Sequence, residues 1–147
     1  MHSIINDSID ELLEMLSSTS DEIRERAIEE AKKIKYASIL VLPYKLSAWE
    51  NCAIALSAMP DEALSPHADS LLMWVSDPNW PGAETINERL KKFEDVSMLK
   101  DSVERYVITS LLNDSLINIA DLLENEKLRA SLSRDKCKVL FDRFANY

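Results

Sequence analysis

The sequence predicts an all-α protein of stacked antiparallel helical hairpins, an α-solenoid of the HEAT or armadillo type. Apolar residues recur at helical spacing along the chain with no convincing strand alternation. Gly82 is the only glycine among 147 residues. This leaves almost no material for the turns of a β-sandwich or for the glycine-rich loops that bind phosphate. The helices also pair into units that repeat.

The N-terminal part should form two short helices and a third, buried one. Ser8-Ile-Asp-Glu11 is typical of a capping box that opens the first helix. Thr19-Ser-Asp-Glu22 opens the second helix, on which Ile23 is expected to point inward. The segment from Ala37 to Leu42 has a β-rich composition, but no partner run exists elsewhere. We therefore predict a buried helix that ends near Pro43.

Prolines and capping residues mark the next boundaries. Ser47-Ala-Trp-Glu50 predicts another capping box, and Pro60 stops the helix that follows it. A helix should then run from about Asp61 to Val75, and Pro81 suits the first position of the one after it. The remaining apolar stripes are those of Ala83 to Phe93, Val96 to Leu111, Leu116 to Leu123 and Cys137 to Phe144.

These helices form copies of one unit. The segment from Leu42 to Leu56 can be aligned with that from Leu72 to Ile86, and a weaker third copy starts near Ile108 with Asn113-Asp114 at its turn. A period of about 30–36 residues with two helices per unit is typical of an α-solenoid. Since 147 residues suffice for one core and not for two, we predict a single domain spanning 1–147. Its predicted parts are units at about 37–59, 62–93 and 96–124, with helices 8–35 and about 134–145 as caps.

The charge of the chain is unevenly distributed. Its net charge is −9, but residues 1–124 hold 11 basic and 23 acidic side chains, whereas residues 125–147 hold 6 and 3. An acidic body repels nucleic acid and anionic lipid and favours a basic macromolecule, although acidity also simply keeps a protein soluble. The basic tail favours an amphipathic cap over a nucleic-acid reader. Its basic residues are Arg134, Lys136, Lys138 and Arg143.

Residue inventory argues against catalysis, metal binding and membrane insertion. His2 and His67 are the only histidines, without a cysteine at metal spacing, so we expect no metal and no cofactor. Glu84 and Glu88 share a helical face as catalytic carboxylates do, but so do many solvated acids, and we expect no enzyme. The longest apolar run, Ala37 to Tyr44, is shorter than the roughly 20 residues of a spanning helix, and no export signal precedes it. We expect a cytoplasmic protein in which both thiols, Cys52 and Cys137, are reduced and buried.

The segment Asp77-Pro-Asn-Trp-Pro-Gly-Ala83 lies between two predicted helices. It resembles the D-x-N-W-P-x-A signature of an uncharacterised bacterial family of small HEAT-like repeat proteins, over roughly residues 60–112. Proteins of this look occur among bacterial immunity proteins, which neutralise a cognate toxin in the cytoplasm. The resemblance implies no catalytic residues.

The same motif admits two interpretations of its side chains. In a structural one, Asp77 or Asn79 caps a helix, Pro81 starts it and Trp80 fills the junction between units. In a functional one, Trp74 or Trp80 is exposed as an interface anchor, because tryptophan is enriched at binding hot spots.

Two hypotheses of function follow. In the first, the chain is an immunity protein that binds and neutralises a basic, nuclease-type toxin, as in contact-dependent growth inhibition. In the second, it is a non-catalytic adaptor that holds a protein or peptide in a groove, with weak salt dependence. In two-helix repeats the second helices line a concave surface, which supplies the predicted partner-binding residues. These are Glu50, Asp77, Trp80, Glu84, Glu88, Asp121 and Glu124.

Overall fold

The computed structural model describes residues 2–109 and 115–146. Within these ranges all regular secondary structure is helical, and the all-α prediction is confirmed. The α-helices are α1 (His2–Leu16), α2 (Asp21–Ala31), α3 (Trp49–Ser57), α4 (Asp61–Leu64), α5 (Ala68–Val75), α6 (Ala83–Leu90), α7 (Ser97–Thr109), α8 (Ser115–Ile119), α9 (Glu126–Ser131) and α10 (Lys138–Ala145). Shorter 3₁₀ helices are Ala37–Ile39, Leu46–Ala48, Ser65–His67 and Ala120–Glu124.

Helices α3 and α6 lie side by side and run parallel. Near their starts, Thr85 Oγ1 donates a hydrogen bond of 3.2 Å to Glu50 Oε1. Near their ends, Arg89 donates one of 2.9 Å to the carbonyl oxygen of Met59. Since starts meet starts and ends meet ends, the two helices point the same way.

The same relationship joins α6 to the segment formed by α8 and the 3₁₀ helix Ala120–Glu124. Asn87 Nδ2 donates to Asp121 Oδ2 at 2.9 Å, and Asn125 Nδ2 donates to the carbonyl oxygen of Leu90 at 3.1 Å. Helices α3 and α6 and this segment therefore stand in one row. Helix α5 packs against α7 and α7 against α9, while α2 contacts α3 and α10 contacts the 3₁₀ helix.

Long-range side-chain hydrogen bonds join residues at a recurrent separation. The bonds Asn51 to Leu16, Thr85 to Glu50, Asn87 to Asp121 and Arg105 to Asp69 connect positions 34 to 36 residues apart. Helices α3 and α6 begin 34 residues apart. The alignment of Leu42 to Leu56 with Leu72 to Ile86 implied a repeat of 30 residues. The starts of the two helices correct this value to 34 residues. The buried apolar residues form one connected cluster from Leu13 to Leu140.

Several predicted boundaries in the N-terminal part were wrong. Ser8 lies inside α1 and does not open it, because a Ser and a Glu three residues apart also share a face within a helix. The cap of α2 is Ser20 and not Thr19, and Ile23, in its first turn, is exposed. The buried helix predicted up to Leu42 is only a 3₁₀ helix, since Leu42 has a φ of 45° and precedes a proline, which disfavours helical backbone.

The central boundaries also differ from the prediction. Ser47 lies in a 3₁₀ helix, and no side chain caps α3. The helix predicted from Asp61 to Val75 is broken around Pro66, which lacks an amide hydrogen. Helix α6 starts two residues after Pro81, from the left-handed Gly82. Leu111 and the turn Asn113-Asp114, with the side chain of His2, fall outside what the structure describes.

Candidate protein-binding surface

The row of α3, α6 and the 3₁₀ helix Ala120–Glu124 brings five of the seven predicted partner-binding residues onto one surface. Glu50 stands in the first turn of α3, and Glu84 and Glu88 stand one turn apart on α6. The bonds Thr85 to Glu50 and Asn87 to Asp121 tie the three helices together at this surface. We call it the acidic face, and its residues are Glu50, Glu84, Glu88, Asp121 and Glu124.

Lys91 neutralises part of the acidic face. Its Nζ lies 2.6 Å from Asp121 Oδ2 and 3.1 Å from carboxylate oxygens of both Glu88 and Glu124. Burial lowers the pKa of Lys91, but the three carboxylates outweigh it and hold the pKa above its usual range. Burial raises the pKa of Asp121, and here the bonds from Lys91 and Asn87 outweigh it, so the pKa lies below its usual range. One ammonium among three carboxylates leaves an excess of negative charge.

Glu84 stands between two grooves. The α3–α6 groove has a volume of about 560 Å³, and the α6–α8 groove one of about 330 Å³. Glu84 lines both, and its side chain forms no hydrogen bond or ion pair with any residue that the structure describes. In the first turn of α6 its charge suits the positive end of the helix dipole. Its carboxylate is therefore available to a ligand.

One of the two cations that line the α3–α6 groove is already engaged. Arg89 donates a hydrogen bond of 2.7 Å to Asp61 Oδ1, and the other oxygen of Asp61 accepts from the amides of Glu94 and Asp95. Burial raises the pKa of Asp61, but the bonds from Arg89 and these two amides outweigh it and hold the pKa below its usual range. Arg89 is thus part of the scaffold and does not pair with Glu84.

Asp77 and Trp80, the other two predicted residues, lie in the connection between α5 and α6. Trp80 is 37% exposed and meets Trp49 edge to face at 5.3 Å. Trp74 is fully buried, and its Nε1 donates to the carbonyl oxygen of Pro81 at 2.8 Å. Of the two tryptophans proposed as anchors, Trp80 alone reaches the surface. Asp77 accepts from the amide of Asn79 within a turn and caps no helix.

Gly82 shows why this connection needs a glycine. Its φ of 82° lies in the left-handed region, and a Cβ here would stand 2.9 Å from Ala53 Cβ and from Trp74 Cζ2. The connection is thus pressed against α3 and holds the first turn of α6, with Glu84, beside Glu50.

The basic tail is occupied by contacts within the chain. The guanidinium of Arg134 lies over the Phe141 ring at 4.5 Å, and Lys138 forms an ion pair of 2.6 Å with Asp142. Lys136 Nζ lies 3.9 Å from the buried Glu104. Arg143 lines the α6–α8 groove.

The two cysteines and His67 are buried or half-buried. Both cysteines are buried, and burial raises the pKa of Cys52 to about 12. His67 is half-buried in a 3₁₀ helix. Residues 2–109 and 115–146 contain no group of three His, Cys, Asp or Glu side chains arranged to hold a metal. Over the same ranges, no helix has the length and apolar character needed to span a membrane.

Sequence reasoning missed Lys91, the two grooves and the exposure of Ile54 and Ile117. One signal was available, because the stretch from Leu46 to Glu88 contains seven acidic residues and neither Lys nor Arg. No comparable signal identified Ile54 and Ile117, whose exposure depends on how the helices pack.

The fold and this surface place the chain in the class of all-helical proteins whose acidic face borders two grooves. A family model matches residues 50–126, more than half of the chain, and the protein belongs to that family, a domain of unknown function (DUF5071). The matched residues run from Glu50 to beyond Glu124 and so contain the whole acidic face. Searches of curated proteins and of solved structures gave no match to this chain.

Proposed function

We propose that this protein is a cytoplasmic immunity protein without enzymatic activity, which binds a basic, nuclease-type toxin through the acidic face, as in contact-dependent growth inhibition. The observation that carries the proposal is Glu84, an exposed carboxylate that lies between two grooves and has no partner among the residues that the structure describes. Carboxylates in such a row match the charge of nucleic-acid phosphates. Complementary fields raise association rates toward roughly 10⁸ M⁻¹s⁻¹, which suits an inhibitor that must act before its toxin.

The proposal includes an α-solenoid arrangement similar to that of HEAT-like repeats, as the resemblance of Asp77 to Ala83 implies. The parallel row of α3, α6 and the 3₁₀ helix Ala120–Glu124 supports it, since each member contacts the next at the same end. The contacts of α5 with α7 and of α7 with α9 would supply the second row. The acidic face then occupies one side of the stack.

Two matched charge reversals test the proposal. The test variant is Glu84→Lys/Glu88→Lys, and its control is Glu25→Lys/Glu29→Lys on α2. In both pairs the two residues are exposed and lie four positions apart. The second residue of each pair forms an ion pair with a lysine three positions later, Glu88 with Lys91 and Glu29 with Lys32. The two variants therefore change the net charge equally and differ in location.

The measurement is capture of proteins from the native host with each tagged form, at low and high salt, followed by mass spectrometry. We expect the wild type and the α2 control to retain one basic protein, which high salt releases and the α6 variant fails to bind. The recovered protein should be toxic when expressed alone and harmless with the wild type. Equal capture by the α6 variant would exclude the acidic face, and a non-toxic partner would exclude the inhibitor role.

A second candidate function, that of an adaptor, is favoured by a different surface. A groove of about 270 Å³ between α5 and α7 is lined by Leu72, Met73 and Tyr106. Met73 is 54% exposed and Ile108, on α7, is 58% exposed. Apolar grooves of this kind hold peptides or helices with little salt dependence. Capture that survives high salt and is lost in Met73→Glu would favour the adaptor.

A further inference from the structure

We infer that the partner presents a basic amphipathic α-helix, which lies in the α3–α6 groove with its cationic side chains against Glu84 and Glu88. This inference rests on the proposed function and names the element that the acidic face holds. The groove, about 560 Å³ in volume, is lined on one side by Ser57 and Asp61 and on the other side by residues of α6.

The walls of the groove favour a helix over an extended segment. Both walls are α-helices, whose backbone groups bond within the helix, and the structure has no strand in its described ranges to offer a sheet edge. An extended segment would gain no main-chain hydrogen bonds here, and its own backbone groups would lose water. A helix satisfies its backbone internally and presents only side chains to the groove.

The charges along α6 define the pattern of the partner helix. Glu84 and Glu88 line the groove four positions apart on α6, which is about 6 Å along the helix axis, and Lys92, in the turn that follows α6, lines the groove as well. Asp61, also in the groove, is committed to Arg89 and two backbone amides. The complementary helix therefore carries two basic residues four positions apart, and beyond them an acidic residue that meets Lys92.

An exposed aliphatic residue on α3, one turn before the groove-lining Ser57, supplies the apolar contact. Ile54 is 37% exposed and lies about one turn from Glu50 and from Ser57, which lines the groove. An aliphatic residue beside the basic pair of the partner helix would cover Ile54. The occupant is thus amphipathic as well as basic.

Synthetic peptides test this inference directly. The probe is a peptide of roughly 18 residues, alanine-rich, with Arg at positions i and i+4, Glu at i+8 and Leu on the adjoining face. Its control has the same composition in an order that scatters the Arg and Glu residues around the helix. Binding to the full-length protein is measured by fluorescence anisotropy, and helix formation by circular dichroism.

We expect the patterned peptide to become helical on binding and to bind about tenfold more tightly than the scattered one. Binding should fall about tenfold with Glu84→Lys/Glu88→Lys and stay unchanged with Glu25→Lys/Glu29→Lys. A peptide with Glu at i and i+4 and Arg at i+8 should bind the triple variant Glu84→Lys/Glu88→Lys/Lys92→Glu. Equal binding of both peptides to the wild type, or none up to about 1 mM, overturns the inference.

The two proposals fail in distinguishable ways. The capture of the basic protein could depend on Glu84 and Glu88 while the patterned peptide binds no more tightly than the scattered one. That result would support binding at the acidic face and contradict the helical occupant. If neither the captured protein nor the peptide responds to the α6 variant, both proposals fall.

Discussion

The ammonium group of Lys91 lies 2.6 Å from the carboxylate of Asp121, thirty positions further along the chain. Glu88 and Glu124 share the same ammonium group, so Lys91 joins α6 to the 3₁₀ helix Ala120–Glu124. The acidic face can be dense in carboxylates because one largely buried lysine lies beneath it. This relationship leads to the first prediction.

Replacing Lys91 should destabilise the protein. Lys91→Met keeps the aliphatic stem but leaves three carboxylates facing each other, and we expect the free energy of unfolding to fall by about 2 kcal/mol at pH 7. Urea unfolding followed by tryptophan fluorescence measures this. The control is Lys127→Met, which removes an exposed ion pair with Glu94 and should cost less than about 0.5 kcal/mol.

The loss should depend on pH in a definite direction. The pKa of Asp121 is lowered in the folded protein, so its contribution is present above its unfolded pKa of about 4 and is lost as the pH falls through the folded value. The pKa of Lys91 is raised, so its contribution is present below its unfolded pKa of about 10 and is lost as the pH rises through the folded value. A deficit in Lys91→Met that persists at full strength below about pH 3 would contradict this account.

Gly82→Ala should destabilise the connection between α5 and α6. The left-handed backbone and the close approach to Ala53 and Trp74 both oppose a Cβ, and together they should cost about 3 kcal/mol. The companion variant Ala53→Gly/Gly82→Ala removes one of three close contacts and leaves those with Trp74 and with the carbonyl oxygen of Trp49. Thermal unfolding should show it regaining part of the loss beyond the cost of Ala53→Gly alone. No difference between the alanine variant and the wild type would rule out the described backbone.

Asp61→Ala should loosen the turn between α6 and α7. The change removes the acceptor for Arg89 and for the amides of Glu94 and Asp95, with an expected cost of about 2 kcal/mol. Hydrogen exchange at these two amides should accelerate more than elsewhere. Asp142→Ala, which breaks the exposed pair with Lys138, is the control and should leave this turn unchanged.

Both thiols should be unreactive in the folded protein. Cys52 and Cys137 are buried, and burial raises the pKa of the Cys52 thiol to about 12 and that of the Cys137 thiol above its usual range. Since the thiolate is the reactive form, a disulfide reagent at pH 8 should label neither residue until urea unfolds the chain, and then both. Rapid labelling of the native protein would contradict the described burial of at least one thiol.

The sequence predicted the helical class and part of the acidic face for a local reason. Helical periodicity and the scarcity of glycine depend only on neighbours along the chain, and so does the outward direction of Glu50, Glu84 and Glu88. The ends of helices were predicted poorly, as at Ser47 and Pro81. The residue patterns that open a helix also occur in turns, and the sequence pattern does not tell the two apart.

The acidic composition and the helical periods were therefore determined by the sequence itself. The tertiary structure alone decided that Glu88, Asp121 and Glu124 share Lys91 and that Trp74 is buried while Trp80 is exposed. It also decided that the carboxylate of Glu84 lies between two grooves with no partner in the described part of the chain. These facts depend on which helices become neighbours, at separations of about 30 or more residues. Such contacts arise from packing of whole helix surfaces, and no spacing within a single helix specifies them.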